Sequence, residues 1–182
     1  VTCLALDSPE VDNTLFTAYA KGADRAMKIG GDFASGASSH LAAKLFADAI
    51  KSMPHDLILT GVQSVEDLDG QVGVLLATYL NIPHVSVVTG VEVNGKVATV
   101  RKEYAGGVLA EFEVDLPAML GIQAAKQAPR YAPISKVRAV MKEKKIESLA
   151  GSNGVDAGVI VRRMFKPESG NHAEMLNGDA GS

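Results

Sequence analysis

Between residues 56 and 80 the sequence passes from an apolar run, Asp56-Leu57-Ile58-Leu59-Thr60, through a polar loop punctuated by glycine, into a helical repeat with Val72, Leu75, Leu76, Tyr79 and Leu80 on one face. Few architectures accommodate a buried strand, a glycine-bearing loop and an amphipathic helix in that order. In an α/β sheet this loop lies beyond the carboxyl end of a strand, where such folds place ligands. The first amides of the helix have no acceptor within it and favour an anion such as a phosphate. Asp67 and Asp69 are candidate acceptors for ribose hydroxyls, and Gly70 and Gly73 let the backbone approach closely. The segment Gly61 to Gly73 reads as a nucleotide phosphate loop, though not a standard one.

The surrounding elements extend this pattern. Val1 to Leu6 reads as a buried strand from its first residue, and because termini tend to lie at the surface we expect sequence to precede it. Ser8-Pro9 has the form of a helix start, followed by an apolar stripe of Val11, Leu15, Ala18 and Tyr19 that ends at Gly22. Arg25 to Ile29 reads as a second strand, and a turn-rich link from Gly30 to Ser39 leads to a helix face of Leu41, Ala42, Leu45, Phe46 and Ala49. A further strand is expected over His84 to Val88. Strand–helix alternation of this kind implies parallel strands joined by right-handed crossovers. After residue 90 the pattern changes to a hairpin about Asn94-Gly95, a second turn at Gly106-Gly107, an alternating stretch from Val108 to Val114 and an apolar strand over Leu116 to Leu120, read together as an antiparallel edge. From Gln123 to Gly154 the chain is polar, less regular and locally basic; a last strand is expected over Val159 to Val161, before a tail rich in Gly, Asn and Ser.

Bulk properties exclude several classes. A net charge of −3 over 182 residues argues against a nucleic-acid binder. The single cysteine, Cys3, rules out an intrachain disulfide framework and reads as a small core residue. No apolar run approaches the roughly 20 residues of a membrane helix, and no signal segment is apparent, so an intracellular, cytoplasmic protein is expected (mitochondrial matrix in a eukaryote). Gly90, Gly95 and Lys96 have the spacing of a Walker A loop, but Val97 stands where a Ser or Thr must bind magnesium, and a hairpin turn explains them better. His40, His55, His84 and His172 lack metal-ligand spacing, so no metal site is expected. No catalytic pair stands out. Asp67 and Asp69 have a second reading, as caps of the helix over 70–80, and Ile134 has one as core beneath a loop.

Four segments in a fixed order are similar to one family. They are the loop Gly61 to Gly73, the run Gly22-Ala23-Asp24-Arg25, the pair Pro129-Arg130-Tyr131 and Met141-Lys142-Glu143-Lys144-Lys145-Ile146-Glu147, and the stretch Arg101 to Gly107 closing at Leu116-Pro117-Ala118. Together they resemble the beta subunit of electron transfer flavoprotein, over nearly the whole chain up to about residue 165. The family begins with another strand, loop and helix ahead of the strand at 1–6, and that front is absent here. The resemblance implies a three-layer α/β fold, with a mostly parallel sheet and helices on both faces, Rossmann-like or adenine-nucleotide-hydrolase-like, plus an antiparallel hairpin and a C-terminal arm. It divides the chain into a nucleotide-binding domain over 1–122 and a recognition loop with a partner-wrapping arm over 123–182.

By the same resemblance the protein is an electron carrier rather than an enzyme. It pairs with an alpha subunit that holds most of the FAD, and it binds a structural AMP itself. It passes electrons from flavin dehydrogenases towards a quinone reductase or related acceptor. In electron-bifurcating relatives the AMP pocket takes a second FAD. Carried over by position, Ser64, Asp67, Gly70, Gln71 and Val72 contact the AMP, while Leu6 and Asp7 line its adenine side. Tyr131 to Lys136 resembles the family's recognition loop, with Ile134 as the apolar anchor flanked by Tyr131 and Lys136. Two readings from other classes stand beside this one: an adenine-nucleotide-binding regulatory module, and an ATP-using enzyme of the adenine-nucleotide hydrolase fold.

Overall fold

The computed structural model describes residues 1–33, 36–65, 68–125 and 127–151, with 162–163, 165–166 and 170. The strand expected over 159–161 lies outside them, as does most of the tail. In chain order the elements are β1 (Thr2–Leu6), α1 (Val11–Ala20), β2 (Arg25–Ile29), α2 (Ser39–Ile50), β3 (Leu57–Thr60), α3 (Val72–Leu80), β4 (His84–Asn94), β5 (Val97–Glu103), β6 (Leu109–Asp115), β7 (Ala118–Ile122), α4 (Ile134–Glu143) and β8 (Glu147–Leu149).

The strands form two sheets, ordered β1-β2-β8 and β3-β7-β4-β5-β6. The first is wholly parallel, as are β3, β7 and β4 in the second; only β5 and β6 run antiparallel. Helices cover both faces. On one side Val11, Leu15 and Tyr19 of α1 pack with Cys3, Ala5 and Val140 of α4. On the other, Ala47 and Ile50 of α2 and Leu76 of α3 pack with Leu4 and Ile58. The alternation of β1 produces this division: Cys3 and Ala5 face α1, and Leu4 faces α2. This is the expected α/β architecture with helices on both faces. A third core, formed by Val88, Ala98, Val100, Val114, Ala118 and Leu120, comes entirely from β4 to β7.

Four local expectations change. The first concerns α1, which starts at Val11 rather than at Ser8-Pro9. Ser8 supplies a carbonyl to the Val11 amide, and Glu10 is the N-cap at φ 66°, without a side-chain cap bond. The hairpin is shifted by one residue: Asn94 pairs with Val97, so Gly95-Lys96 forms the turn, with Gly95 at φ +61° as the first position of a II′ turn requires. The apolar strand after Leu116 does not close the antiparallel edge. It enters between β3 and β4 as β7, parallel to both, because Ala118, Met119 and Leu120 are fully buried and a central position satisfies both backbone edges. Finally, the basic stretch is regular: it forms α4, then β8, which pairs with β2.

Two particular contacts hold that returning segment. The Tyr19 hydroxyl accepts the Ala26 amide at 2.8 Å and donates to the Lys145 carbonyl at 3.0 Å, joining α1, β2 and the link between α4 and β8. Arg25 grips Glu147 through two bonds, of 2.6 and 2.5 Å, across the β2–β8 pair. Within β4, Val87 takes φ +64° where the register shifts between Ser86 and Val88. This bulge turns the strand from parallel pairing with β7 to antiparallel pairing with β5.

Candidate functional site

The loop that the sequence singles out runs from the carboxyl end of β3 to the amino end of α3, and Ser39 at the amino end of α2 reaches into it. The chain leaves β1 towards β2 in one direction and returns through α2 to β3 on the other side. β1 ends one sheet and β3 ends the other, and the loop follows the carboxyl end of β3, the usual side for a ligand in an open α/β sheet.

The loop closes on itself. The Ser64 amide donates to the Asp69 carbonyl at 2.9 Å, and the Gln63 side-chain amide donates to the Leu68 carbonyl at 2.6 Å. A Cβ on Gly70 would lie 2.6 Å from the Val62 carbonyl oxygen, and one on Gly73 would lie 2.9 Å from Thr60 Oγ1 and Met119 Cε. The close approach expected of these glycines is thus made to the chain's own loop and strand.

Asp69 is the electrostatic centre of the site. Its carboxylate accepts the Ser39 hydroxyl at 2.6 Å, from the first residue of α2, and the Gln71 amide at 3.3 Å, from the residue preceding α3. The Ser39 hydroxyl, with the Gln71 and Gly70 amides, holds the Asp69 carboxyl below the usual carboxylate range. Of the two amides expected to face an anion, that of Gln71 therefore already has an acceptor. The amide of Val72 opens the helix and has no acceptor within it. Because its pKa is lowered on folding, Asp69 adds stability above its unfolded value of about 3.9, and that stability is lost as pH falls through the lower folded value. Ser39→Ala is accordingly expected to cost about 1 kcal/mol at neutral pH, with the difference from the parent protein shrinking as the Asp69 carboxylate is protonated in acid, read by denaturation across pH.

Leu6 ends β1, opposite Ile29 of β2. Asp7 follows, with its amide on the Ile29 carbonyl and its carboxylate 3.2 Å from Lys28 Nζ, which also binds Asp12 at 2.9 Å. Those two carboxylates raise the Lys28 pKa, Asp12 contributing more. Asp67 lies outside the described residues. Leu6 and Asp7 thus lie at the carboxyl end of β1, and Ser64, Gly70, Gln71 and Val72 lie between β3 and the start of α3.

Tyr131, Ile134 and Lys136 lie apart from this group, around the start of α4. Ile134 is the first helical residue after Pro133 and is 70% exposed; Tyr131 is 85% exposed. Ile134 is therefore not core beneath a loop. Met141, two turns further along the same helix, is also exposed. Lys144 lies over the Tyr19 ring at 5.8 Å. Cys3 is partly buried against the α1 cluster, and burial pushes its thiol pKa up, as for a packing residue rather than a nucleophile.

Sequence reasoning missed Ser39 and Lys28. A serine ahead of a helix reads as a cap, and Ser38 is that cap, accepting the Leu41 amide at 3.2 Å. Nothing local reveals that the next serine reaches a carboxylate 30 positions on.

The electron transfer flavoprotein domain family matches residues 1–151. The beta subunit of electron transfer flavoprotein from Methylophilus methylotrophus is 35% identical over 188 residues, covering 98% of this chain. The chain belongs to the electron transfer flavoprotein beta-subunit family. Beta subunits of electron transfer flavoprotein from Syntrophomonas wolfei and Bos taurus are 35% and 31% identical, over 79% and 81% of the chain. The chain spans 71% of the Methylophilus relative and 56% and 58% of the other two. The electron transfer flavoprotein match includes every described element, from β1 through β8. No helix among the described residues is long and apolar enough to cross a membrane.

Proposed function

We propose that this chain is the beta subunit of an electron transfer flavoprotein, a carrier that makes no product of its own. It binds AMP at the loop between β3 and α3 and pairs with an alpha subunit that holds the FAD. The observation that carries this reading is the family match across residues 1–151. An adenine nucleotide suits this donor set: the α3 amino terminus offers the Val72 amide to a phosphate, and Leu6 and Asp7, at the end of β1, are assigned to its adenine side. Asp69 contributes negative charge beside Gln71, so its role is to shape the loop rather than to grip the phosphate. When bound in the alpha subunit, FAD supplies the redox chemistry; this chain's residues orient and dock.

The test is to denature the purified chain, alone and with a co-expressed alpha subunit, and to identify the released nucleotide by chromatography. AMP in a one-to-one ratio is the expected result. FAD released from this chain alone would support the bifurcating form, and ATP that is turned over would support the enzyme reading. A nucleotide-free protein in both preparations would overturn the assignment of the site.

The exposed Ile134, with Tyr131 and Lys136, serves as the docking anchor for partner flavin dehydrogenases, which pass electrons through the carrier towards a quinone reductase or related acceptor. Ile134→Lys is expected to leave stability within about 0.5 kcal/mol. It is expected to slow electron transfer from a partner dehydrogenase by about tenfold or more, read by stopped-flow flavin absorbance. An unchanged rate would remove Ile134 from the interface.

A further inference from the structure

Two of the segments singled out in the sequence, Gly22 to Arg25 and Pro129 to Tyr131, lie far apart in the chain and meet in the fold. Gly22 closes α1. Its amide donates to the Tyr19 carbonyl at 2.9 Å, the Ala23 amide donates to the Ala18 carbonyl at 3.0 Å, and Gly22 itself takes φ +108°. This is a glycine-terminated helix end, whose paired bonds satisfy the last carbonyls. With no side chain in the way, the Arg130 guanidinium lies against the glycine. A Cβ on Gly22 would stand 3.2 Å from Arg130 Nη1 and 3.7 Å from both Cζ and Nη2, so the flat group covers the turn. The last turn of α1 carries no basic residue of its own, and Arg130 brings a cation to that carboxyl end.

The same corner holds the far end of α4. Ala23 packs in the cluster of Leu15, Tyr19 and Ala26 together with Val140 of α4 and Ile146 beyond it. Tyr19 donates to the Lys145 carbonyl, and Arg25 grips Glu147. The front of α4 has less to hold it. No residue of the helix is fully buried, and its N-cap, Pro133, makes no side-chain cap bond. A helix without buried side chains depends on the few contacts at its ends. Pro129 and Pro133 flank Arg130, with φ fixed at each proline and the residue before Pro133 held extended. The position of Arg130 is therefore passed to Ile134 with little slack.

We propose that Arg130 is a positioning residue for docking: seated on Gly22, it sets the pose in which the start of α4 presents Ile134 to a partner dehydrogenase, without touching the partner itself. This rests on the reading of Ile134 as the docking anchor. Without the seat, the start of α4 samples other directions, and only a fraction of the molecules present the anchor correctly. The effect falls on association rather than on electron transfer within the docked complex. Lysine does not substitute, because the seat matches a plane and an ammonium is a compact, strongly hydrated charge.

The test uses the whole alpha–beta complex and a flavin dehydrogenase that reduces the parent complex. Arg130 is exposed, so its variants keep the fold. Arg130→Ala is expected to raise the KM for the complex about tenfold and to leave the limiting rate of flavin reduction within about twofold. Arg130→Lys is expected to match Arg130→Ala. Without dehydrogenase, the Lys136 and Val137 amides, bonded to the Pro133 carbonyl at 2.9 and 3.2 Å, are expected to exchange about tenfold faster in Arg130→Ala. The Lys144 amide, bonded to the Val140 carbonyl at 2.8 Å, is the control and is expected to be unchanged. In an Ile134→Ala background Arg130→Ala is expected to raise KM by less than about twofold more, because both act through one contact. Parent-like behaviour of Arg130→Lys would assign Arg130 to charge steering, and losses that multiply would mean that it meets the partner itself; either overturns the proposal. So does unchanged exchange at Lys136 and Val137. If Ile134→Lys slows transfer while Arg130→Ala does not, the docking anchor stands and only the seat falls. If Ile134→Lys changes nothing, the anchor reading fails and takes this role of Arg130 with it.

Discussion

Leu120→Ala is expected to lower stability by about 2–5 kcal/mol and the melting temperature by about 5–15 °C. Leu120 is fully buried at the centre of β7, opposite Leu59 of β3 and Val85 of β4, and it packs in the cluster of Val88, Val100 and Val114. Removing its branched end leaves a cavity walled by other strands of the same sheet, whose backbone ladders prevent them from closing over it. Leu109→Ala, on the exposed hairpin, is the control and is expected to stay within about 0.5 kcal/mol. The chain has no tryptophan, so circular dichroism is the probe. Equal melting of the two variants would mean that β7 does not carry the centre of the sheet.

Gly70→Ala has the second large effect, and it acts on the site. The added methyl would stand 2.6 Å from the Val62 carbonyl oxygen, a backbone atom that cannot rotate away as a flexible side chain can. The loop must open, at a cost of about 1–3 kcal/mol. Opening disturbs the Ser64–Asp69 closure and the Asp69 carboxylate that joins Ser39 to Gln71. Copurifying nucleotide is therefore expected to fall by about tenfold, measured as nucleotide per chain after denaturation. Gly61→Ala is the matched control, since nothing lies within 4 Å of its Cβ position. If both variants behave like the parent, the tight turn at Gly70 is irrelevant to binding.

The legible parts of this molecule are those whose cause lies within a few residues. Arg25 to Ile29 emerges as a strand with the expected bounds, and the helix expected over 70–80 forms over Val72–Leu80, because a period of two or of 3.6 residues is a local property. The glycines of the loop announced a close approach, and the approach is there. What they approach was illegible, because Val62, Thr60 and Met119 are brought to them by packing. Ile134 shows the same limit. An isoleucine after a proline is equally suited to a core or a docking surface, and only the direction in which α4 lies on α1 leaves it outside.

The amino-acid sequence by itself determined the alternation of strands and helices, the hairpin, the polar loop ahead of α3 and the family to which the chain belongs. These rest on side-chain periodicity, turn chemistry and residue identity, which need no distant partner. Tertiary structure alone decided that β7 threads between β3 and β4, that Ser39 reaches Asp69, and that β8 returns to pair with β2. Each of those is a contact between segments far apart in the chain. Its free energy comes from burial and backbone pairing made only once the sheets assemble, so no local pattern encodes it.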